Sequence, residues 1–182
     1  GVALMLLTRR RFALQAAFAA GAVAFSGRAR ASDDFRLELY NTHTGESLAA
    51  DICGMDGAFN ADCLGQFDHL LRDHRNDAMH VMDRGLFPQL LALPRVLGVP
   101  ARYEVISGYR SPQTNEALRA AGHGVAEHSL HLEGRAIDVR LVGVDCARLR
   151  DAALAASAGG VGYYASSDFV HLDTGRVRTW AG

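Results

Sequence analysis

Two short segments carry residue types suited to binding a metal ion. Ser129-Leu130-His131-Leu132-Glu133-Gly134-Arg135-Ala136-Ile137-Asp138 sets a histidine and an aspartate seven residues apart, with a glycine and small residues between them that permit a turn into a strand. Further on, Asp168-Phe169-Val170-His171-Leu172-Asp173 puts a second histidine inside an apolar run. An imidazole between Val and Leu in a strand needs a partner, because a buried polar group without one costs about 1–3 kcal/mol. Two imidazoles and one carboxylate are the ligand set of a catalytic zinc site, which leaves the fourth tetrahedral position to water. Zn²⁺ takes that mixture of nitrogen and oxygen donors and lowers the pKa of its water to about 7. The candidate ligands are His131, Asp138 and His171; a hydrogen-bonded structural cluster is the alternative that spacing alone leaves open. His43, His69, His74, His80 and His123 fall in polar turns or on helix faces and read as solvated or core-edge imidazoles.

The elements that must hold these residues follow from patterning. Phe35 to Leu48 alternates apolar and polar residues and then supplies turn residues from Asn41 to Glu46, a strand and hairpin signal. Asn60 can cap a helix from Ala61 to His74, with Leu64, Phe67, Leu70 and Leu71 on one face. A second helix is expected over Met79–Leu97, interrupted near Pro88 and Pro94. Tyr103–Ser107 reads as a strand, followed by a turn and a short helix that starts at Pro112. Arg135–Leu141 is a strand and Asp145–Ala156 a helix ended by Gly159-Gly160. Strands follow at Val161–Tyr164, Phe169–Leu172 and Val177–Trp180. Helices first and a mostly antiparallel sheet later make the fold class α+β.

The 182 residues carry 19 basic and 20 acidic side chains, and every basic one is arginine. The absence of lysine excludes a P-loop, a Schiff base and a lysine-rich nucleic-acid arm. Residues 1–31 hold five arginines and no acid, so the rest of the chain is mildly acidic, which does not suit a nucleic-acid partner. Thr8-Arg9-Arg10-Arg11-Phe12, the apolar run Ala13–Phe25 and Ala29-Arg30-Ala31 have the parts of an export signal, and the first string resembles a twin-arginine motif. The run is too short for a spanning helix, which needs about 20 residues. Residues 1–31 are therefore expected to be a cleaved leader, with no stable membrane insertion afterwards. Residues 32–182 are expected to form the working domain, located in the periplasm. Cys53 and Cys63 could pair in an oxidising compartment or remain buried thiols, and Cys146 is odd.

Ser129-x-His131-x-x-Gly134-x-Ala136-x-Asp138 resembles the zinc-binding signature of D-Ala-D-Ala carboxypeptidases, VanX-type dipeptidases and related murein endopeptidases, with His171 in place of their downstream ligand. Ser107-Gly108-Tyr109-Arg110-Ser111-Pro112, Gly159-Gly160-Val161-Gly162-Tyr163-Tyr164, and Phe169 to Gly175 with Trp180 resemble the murein endopeptidase K group. That likeness runs from Phe35 to Trp180. It implies zinc held by His131, Asp138 and His171 in a cleft against a small antiparallel sheet flanked by helices. It also implies hydrolysis of peptide cross-links between peptidoglycan stem peptides; the enzyme is expected to be a monomer.

The resemblance further implies a role for Arg110 beside the scissile carbonyl, where a guanidinium would stabilise the oxyanion; a surface ion pair is the other reading. Relatives take their general base from Glu-x-x-His or from a His two residues before the last ligand. Here those positions are Asp168 and Phe169, so Asp168 is the expected base or else a turn residue. Asp173 and His128 are alternatives, Asp173 also as an orienting partner for His171. Ser129 either bonds a substrate carboxylate or shapes the turn, and Tyr109 either lines the cleft as a substrate-binding residue or serves packing beside its glycine. A D,D-carboxypeptidase or dipeptidase acting on D-Ala-D-Ala, and a non-catalytic peptidoglycan-binding module, are the rival readings.

Overall fold

A computed structural model describes residues 35–53, 58–122 and 125–182. The expected leader over 1–31, the mature start near Ser32 and the loop around His123 lie outside the described residues. Strands β1 (Arg36–Asn41) and β2 (Ser47–Asp51) form the first hairpin. The Asn41 Oδ1 accepts from the backbone N–H groups of His43 and Thr44, and its amide nitrogen donates to the Leu70 carbonyl, so one side chain shapes the turn and ties it to the next helix.

Helix α1 (Ala61–Leu70) starts where expected, with the Asn60 side chain accepting from Cys63 N–H. It ends four residues before the expected His74. Asp73 instead directs a tight turn in which its N–H reaches Ala78 and its carbonyl takes the N–H groups of Asn76 and Asp77. Helix α2 (Leu86–Leu97) starts later than expected and runs through both prolines. Pro88 falls in the first turn, where the missing N–H has no partner within the helix anyway, and Pro94 is buried near the end, just before Gly98 closes the helix with φ 72°. Residues 79–85 are irregular because they are bonded elsewhere: the Met82 N–H donates to the buried Asp68 carboxylate, and Met82 itself is fully buried.

Strand β3 (Arg102–Ser107) leads to helix α3 (Pro112–Ala120), then to a 3₁₀ turn (Leu130–Glu133) and strand β4 (Ala136–Leu141). Helix α4 (Cys146–Ala156) and strands β5 (Gly160–Tyr164), β6 (Phe169–Asp173) and β7 (Arg178–Ala181) complete the order. The α+β class holds, but the expected small antiparallel sheet is corrected. The sheet has seven strands in the order β2-β1-β3-β4-β6-β5-β7 and is mixed, with β1 parallel to β3 and β5 parallel to β7. Parallel neighbours need a long crossover. Between β1 and β3 the chain makes one through α1 and α2, and β7 passes the β5–β6 hairpin to reach the free edge of β5. Alternation marks strands one at a time and does not disclose which strands become neighbours.

The two faces of the sheet have different tasks. Leu37, Leu39, Tyr103, Val105, Ile137, Val139, Leu141, Val161, Val170 and Leu172 make a buried face with Phe67, Phe87, Leu90 and Leu149 from the helices. The Tyr103 hydroxyl, deep in this core, donates to the Leu90 carbonyl, which satisfies its one polar atom. Because side chains alternate along a strand, the intervening positions Asp138 and His171 project from the other face. No helix among the described residues is long and apolar enough to cross a membrane.

Candidate metal centre

The three histidine and aspartate residues meet because the sheet puts them in one row. Ser107 of β3 faces Asp138 of β4, Asp138 faces His171 of β6, His171 faces Gly162 of β5, and Gly162 faces Trp180 of β7. His131 enters from the 3₁₀ turn, which Gly134 closes just ahead of β4. Its Nε2 lies 3.2 Å from His171 Nδ1 and 3.3 Å from Asp138 Oδ1, and the last two atoms are 2.9 Å apart. All three residues are buried, and among the described residues they form a group of the size and chemistry that holds a metal ion.

Hydrogen bonds on the far side of each ring decide which nitrogen faces the centre. His131 Nδ1 is 2.7 Å from the Gly108 carbonyl, and His171 Nε2 is 3.0 Å from Asp173 Oδ2. Both partners are pure acceptors, so each ring keeps a proton on that outer nitrogen. The inner nitrogens of the neutral rings therefore carry lone pairs, both aimed at Asp138. Three electron-rich atoms within 3.3 Å of one another require a positive charge between them. A proton is one answer. Burial opposes a charge on His171, but bonds from Asp138 and Asp173 outweigh it and raise the pKa to about 9. Burial likewise works against ionised Asp138, yet His131 and then His171 hold its carboxyl well below the usual range. A divalent cation that accepts two imidazoles and a carboxylate is the other answer, and the outer acceptors are the partners that metal-bound histidines normally have. The residues fit zinc.

Asp173 is fixed in turn. Fully buried, it accepts from the N–H groups of Gly160 and Gly175 and from both Arg178 Nη atoms, in addition to His171. A Cβ on Gly160 would lie 2.5 Å from Asp173 Oδ2 and run into Arg178 Nη1, so only glycine admits this pair. A Cβ on Gly162 would lie 2.6 Å from the Trp180 ring. The indole can therefore lie across β5 with its centroid 5.0 Å from that of His171, while its N–H donates to the Tyr164 hydroxyl.

The cleft over this row has a volume of about 1050 Å³, with His131, Asp138 and His171 in its lining. Arg110 belongs to its wall, only 8% exposed, and its Nε has no hydrogen-bond partner. Burial lowers the Arg110 pKa, with Asp138 opposing that shift. The ion-pair reading of this arginine therefore does not describe its surroundings. Ser129 also lines the cleft, and its side chain makes no cap bond to the turn that follows.

Two expected positions lie elsewhere. Asp168 does not line the cleft although Ser167 and Phe169 do. It ends the β5–β6 turn with a left-handed φ of 52°, ahead of the extended stretch that begins at Phe169. Its side chain is 72% exposed and lies 3.6 Å from Arg140 Nε. Tyr109 stacks on His80 at 4.9 Å and packs against the core rather than lining the cleft. Asp173, with every lone pair engaged, serves to orient His171, whereas His128 lines the cleft and is exposed. Sequence reasoning passed over Arg178 and gave Trp180 no task. The available signal was the Gly-Gly-x-Gly run in a strand, which marks a close approach by other atoms. The Cys63 thiol is buried and its pKa is raised by burial first and by Asp51 and Cys53 next.

Comparison with known proteins places these observations. The family described as peptidoglycan L,D-endopeptidase MepK matches residues 29–180. The peptidoglycan L,D-endopeptidase MepK of Escherichia coli (strain K12) is 44% identical over 144 residues, which is 79% of each chain. A relative of the same name from Shigella flexneri has the same identity and coverage. The probable peptidoglycan L,D-endopeptidase MepK of Haemophilus influenzae is 42% identical over 147 residues, 80% of this chain and 78% of its own. No solved structure matches the chain.

Proposed function

The chain belongs to the peptidoglycan L,D-endopeptidase MepK family, and on that premise we propose that it hydrolyses L,D peptide cross-links in peptidoglycan at the cleft over β4 and β6. The observation that carries this reading is the convergence of His131 Nε2, Asp138 Oδ1 and His171 Nδ1 on one point in the cleft wall. These residues would hold zinc, which when bound polarises a carbonyl and lowers the pKa of a water toward neutrality. The Gly108 carbonyl and the Asp173 carboxylate keep both rings in the tautomer this requires. Arg110 has an unpartnered buried Nε and supplies a donor to the oxyanion as charge develops on the scissile carbonyl. His128 takes the proton-transfer role, since of the three candidate bases it alone lines the cleft without being engaged elsewhere. Ser129 and the aromatic wall of Tyr164 and Trp180 bind the peptide. The cleft, at about 1050 Å³, suits a branched cross-link better than a free dipeptide, which favours the endopeptidase over the D,D-dipeptidase and carboxypeptidase readings.

The enzyme works as a monomer in the periplasm in this reading. The likeness of residues 8–12 to a twin-arginine motif and the location of peptidoglycan outside the cytoplasm support that placement. Residues 32–182 incubated with muropeptide dimers, with and without a chelator, provide the test, with products resolved by mass. Conversion of L,D-linked dimers to monomers that stops with chelator and returns with zinc is expected. Loss of a terminal D-Ala alone would move the assignment to a carboxypeptidase, and binding without a product would leave a peptidoglycan-binding module.

A further inference from the structure

Besides Arg110, the cleft lining carries a second arginine whose guanidinium has no carboxylate paired with it. Arg75 lines the same cleft, is exposed, and its guanidinium has no hydrogen bond or ion pair among the described residues. Of the three arginines in the cleft lining, Arg178 is paired with the Asp173 carboxylate at 2.7 Å, whereas neither Arg75 nor Arg110 has an ion pair among the described residues. The position of Arg75 is nevertheless fixed. The buried Asp73 carboxylate accepts from Arg75 N–H at 3.1 Å, from Ser111 N–H at 2.9 Å and from the Ser111 hydroxyl at 2.7 Å. The Asn76 side-chain amide donates to that same hydroxyl at 2.8 Å. One carboxylate thus pins the backbone of Arg75 to the residue next to Arg110, and two guanidiniums are held toward one cavity.

Among the described residues Asp138 is the one acid in the lining, and its charge is committed to the two imidazoles. The Arg75 charge is among those that disfavour a charge on Arg110, whereas the Asp138 and Asp73 carboxylates favour it; both carboxylates are bonded elsewhere and neither pairs with the Arg75 guanidinium. The natural occupant is an anion, and the planar fork of a guanidinium matches a carboxylate through paired hydrogen bonds. Resting on the cross-link endopeptidase reading above, we infer that Arg75 is a specificity residue that grips a free carboxylate of the stem peptide beside the bond being cut. Arg110 keeps its place at the oxyanion, and its positive field deepens the Arg75 subsite. Two groups on a stem peptide have this chemistry: the unlinked carboxyl of the diamino acid in the cross-link, and the α-carboxyl of a γ-linked glutamate.

The test uses three L,D-linked dimers: unmodified, amidated at the diamino acid carboxyl, and amidated at the glutamate α-carboxyl. Wild type and Arg75→Gln are each assayed for kcat and KM, with zinc content and thermal unfolding measured alongside. Amidation of one of the two groups lowers wild-type kcat/KM by about tenfold to a hundredfold, the range of a charge-assisted hydrogen bond, mostly through KM. That result also identifies the carboxylate. Arg75→Gln loses a similar factor on the unmodified dimer and no longer distinguishes it from the amidated one. Equal wild-type rates on all three dimers overturn the inference, and so does a variant that discriminates as wild type does. If wild type cleaves none of the dimers, the endopeptidase reading fails and the inference fails with it. The wild-type comparison needs no variant, so a folding defect in Arg75→Gln would not rescue the proposal.

Discussion

Asp173→Asn separates a carboxylate that merely packs from one that chooses the nitrogen His171 offers to the cleft. Five donors meet this side chain: Gly160 N–H, Gly175 N–H and Arg178 Nη1 at Oδ1, and His171 Nε2 and Arg178 Nη2 at Oδ2. An asparagine has one oxygen to offer them. If that oxygen stays with the two glycines, its NH₂ faces His171, whose Nε2 must then accept. The ring proton moves to Nδ1, the atom 2.9 Å from Asp138 Oδ1, and blocks the position a metal would take. If the amide is turned round, His171 keeps its acceptor but two buried backbone N–H groups lose theirs, at about 1–3 kcal/mol each. Either orientation lowers zinc affinity or stability. The expected result is a tenfold to hundredfold loss of zinc affinity, about 1.4–2.7 kcal/mol, measured by competition with a chromophoric chelator. Denaturant unfolding of the chelated protein is expected to show a loss of at least about 2 kcal/mol. A folded variant that matches wild type in both measurements would refute the orienting role of Asp173.

Other consequences are open to simple assays. His128→Ala lowers kcat on a cross-linked dimer by about a hundredfold or more, as removal of a proton shuttle does, whereas Asp168→Ala stays within about twofold of wild type; the reverse order would return the role to Asp168. Burial first, and then the bond to Asp168, push the Cys146 thiol up to about 12, so at pH 8 the folded protein leaves Cys146 unmodified by a thiol reagent and the denatured protein does not. Burial works against ionised Asp73 and Asp173, but bonds from Thr114 and Ser111 to the first, and from His171 and Arg178 to the second, hold both below the ordinary carboxylate range. Their stabilisation is complete above the unfolded pKa of about 4 and is lost as pH falls below it, so chelated protein unfolds more easily with falling pH and Asp173→Asn flattens that slope.

The three residues that meet in the cleft were legible because their signal is local. A histidine and an aspartate seven apart around a glycine, and a histidine inside an apolar strand, are features of contiguous chain. Strand positions were readable for the same reason: alternation marked β3, β4, β5 and β6 to within a residue or two. What alternation does not carry is adjacency, and the row from Ser107 to Trp180 exists through four pairings between distant segments. For Asp168 the sequence left base and turn residue open; the structure puts it at the end of the β5–β6 turn, outside the cleft lining, and an offset along the chain does not disclose that. For Tyr109 the sequence left cleft wall and packing open, because a turn beside a glycine does not reveal which way its ring points; here His80 provides a stacking surface away from the cleft. Arg75 gave no signal at all. Its importance comes from Asp73 tying two loops together across 38 residues, a link visible only in three dimensions.

The claim on which the rest depends is that His131 Nε2, Asp138 Oδ1 and His171 Nδ1 hold one metal ion. Anomalous scattering from crystals of zinc-loaded protein, recorded on both sides of the zinc absorption edge, measures this without reference to activity. One strong peak bounded by those three atoms is expected, with the outer nitrogens still on Gly108 and Asp173. A peak bound through His171 Nε2, or zinc found only at other residues, would contradict it.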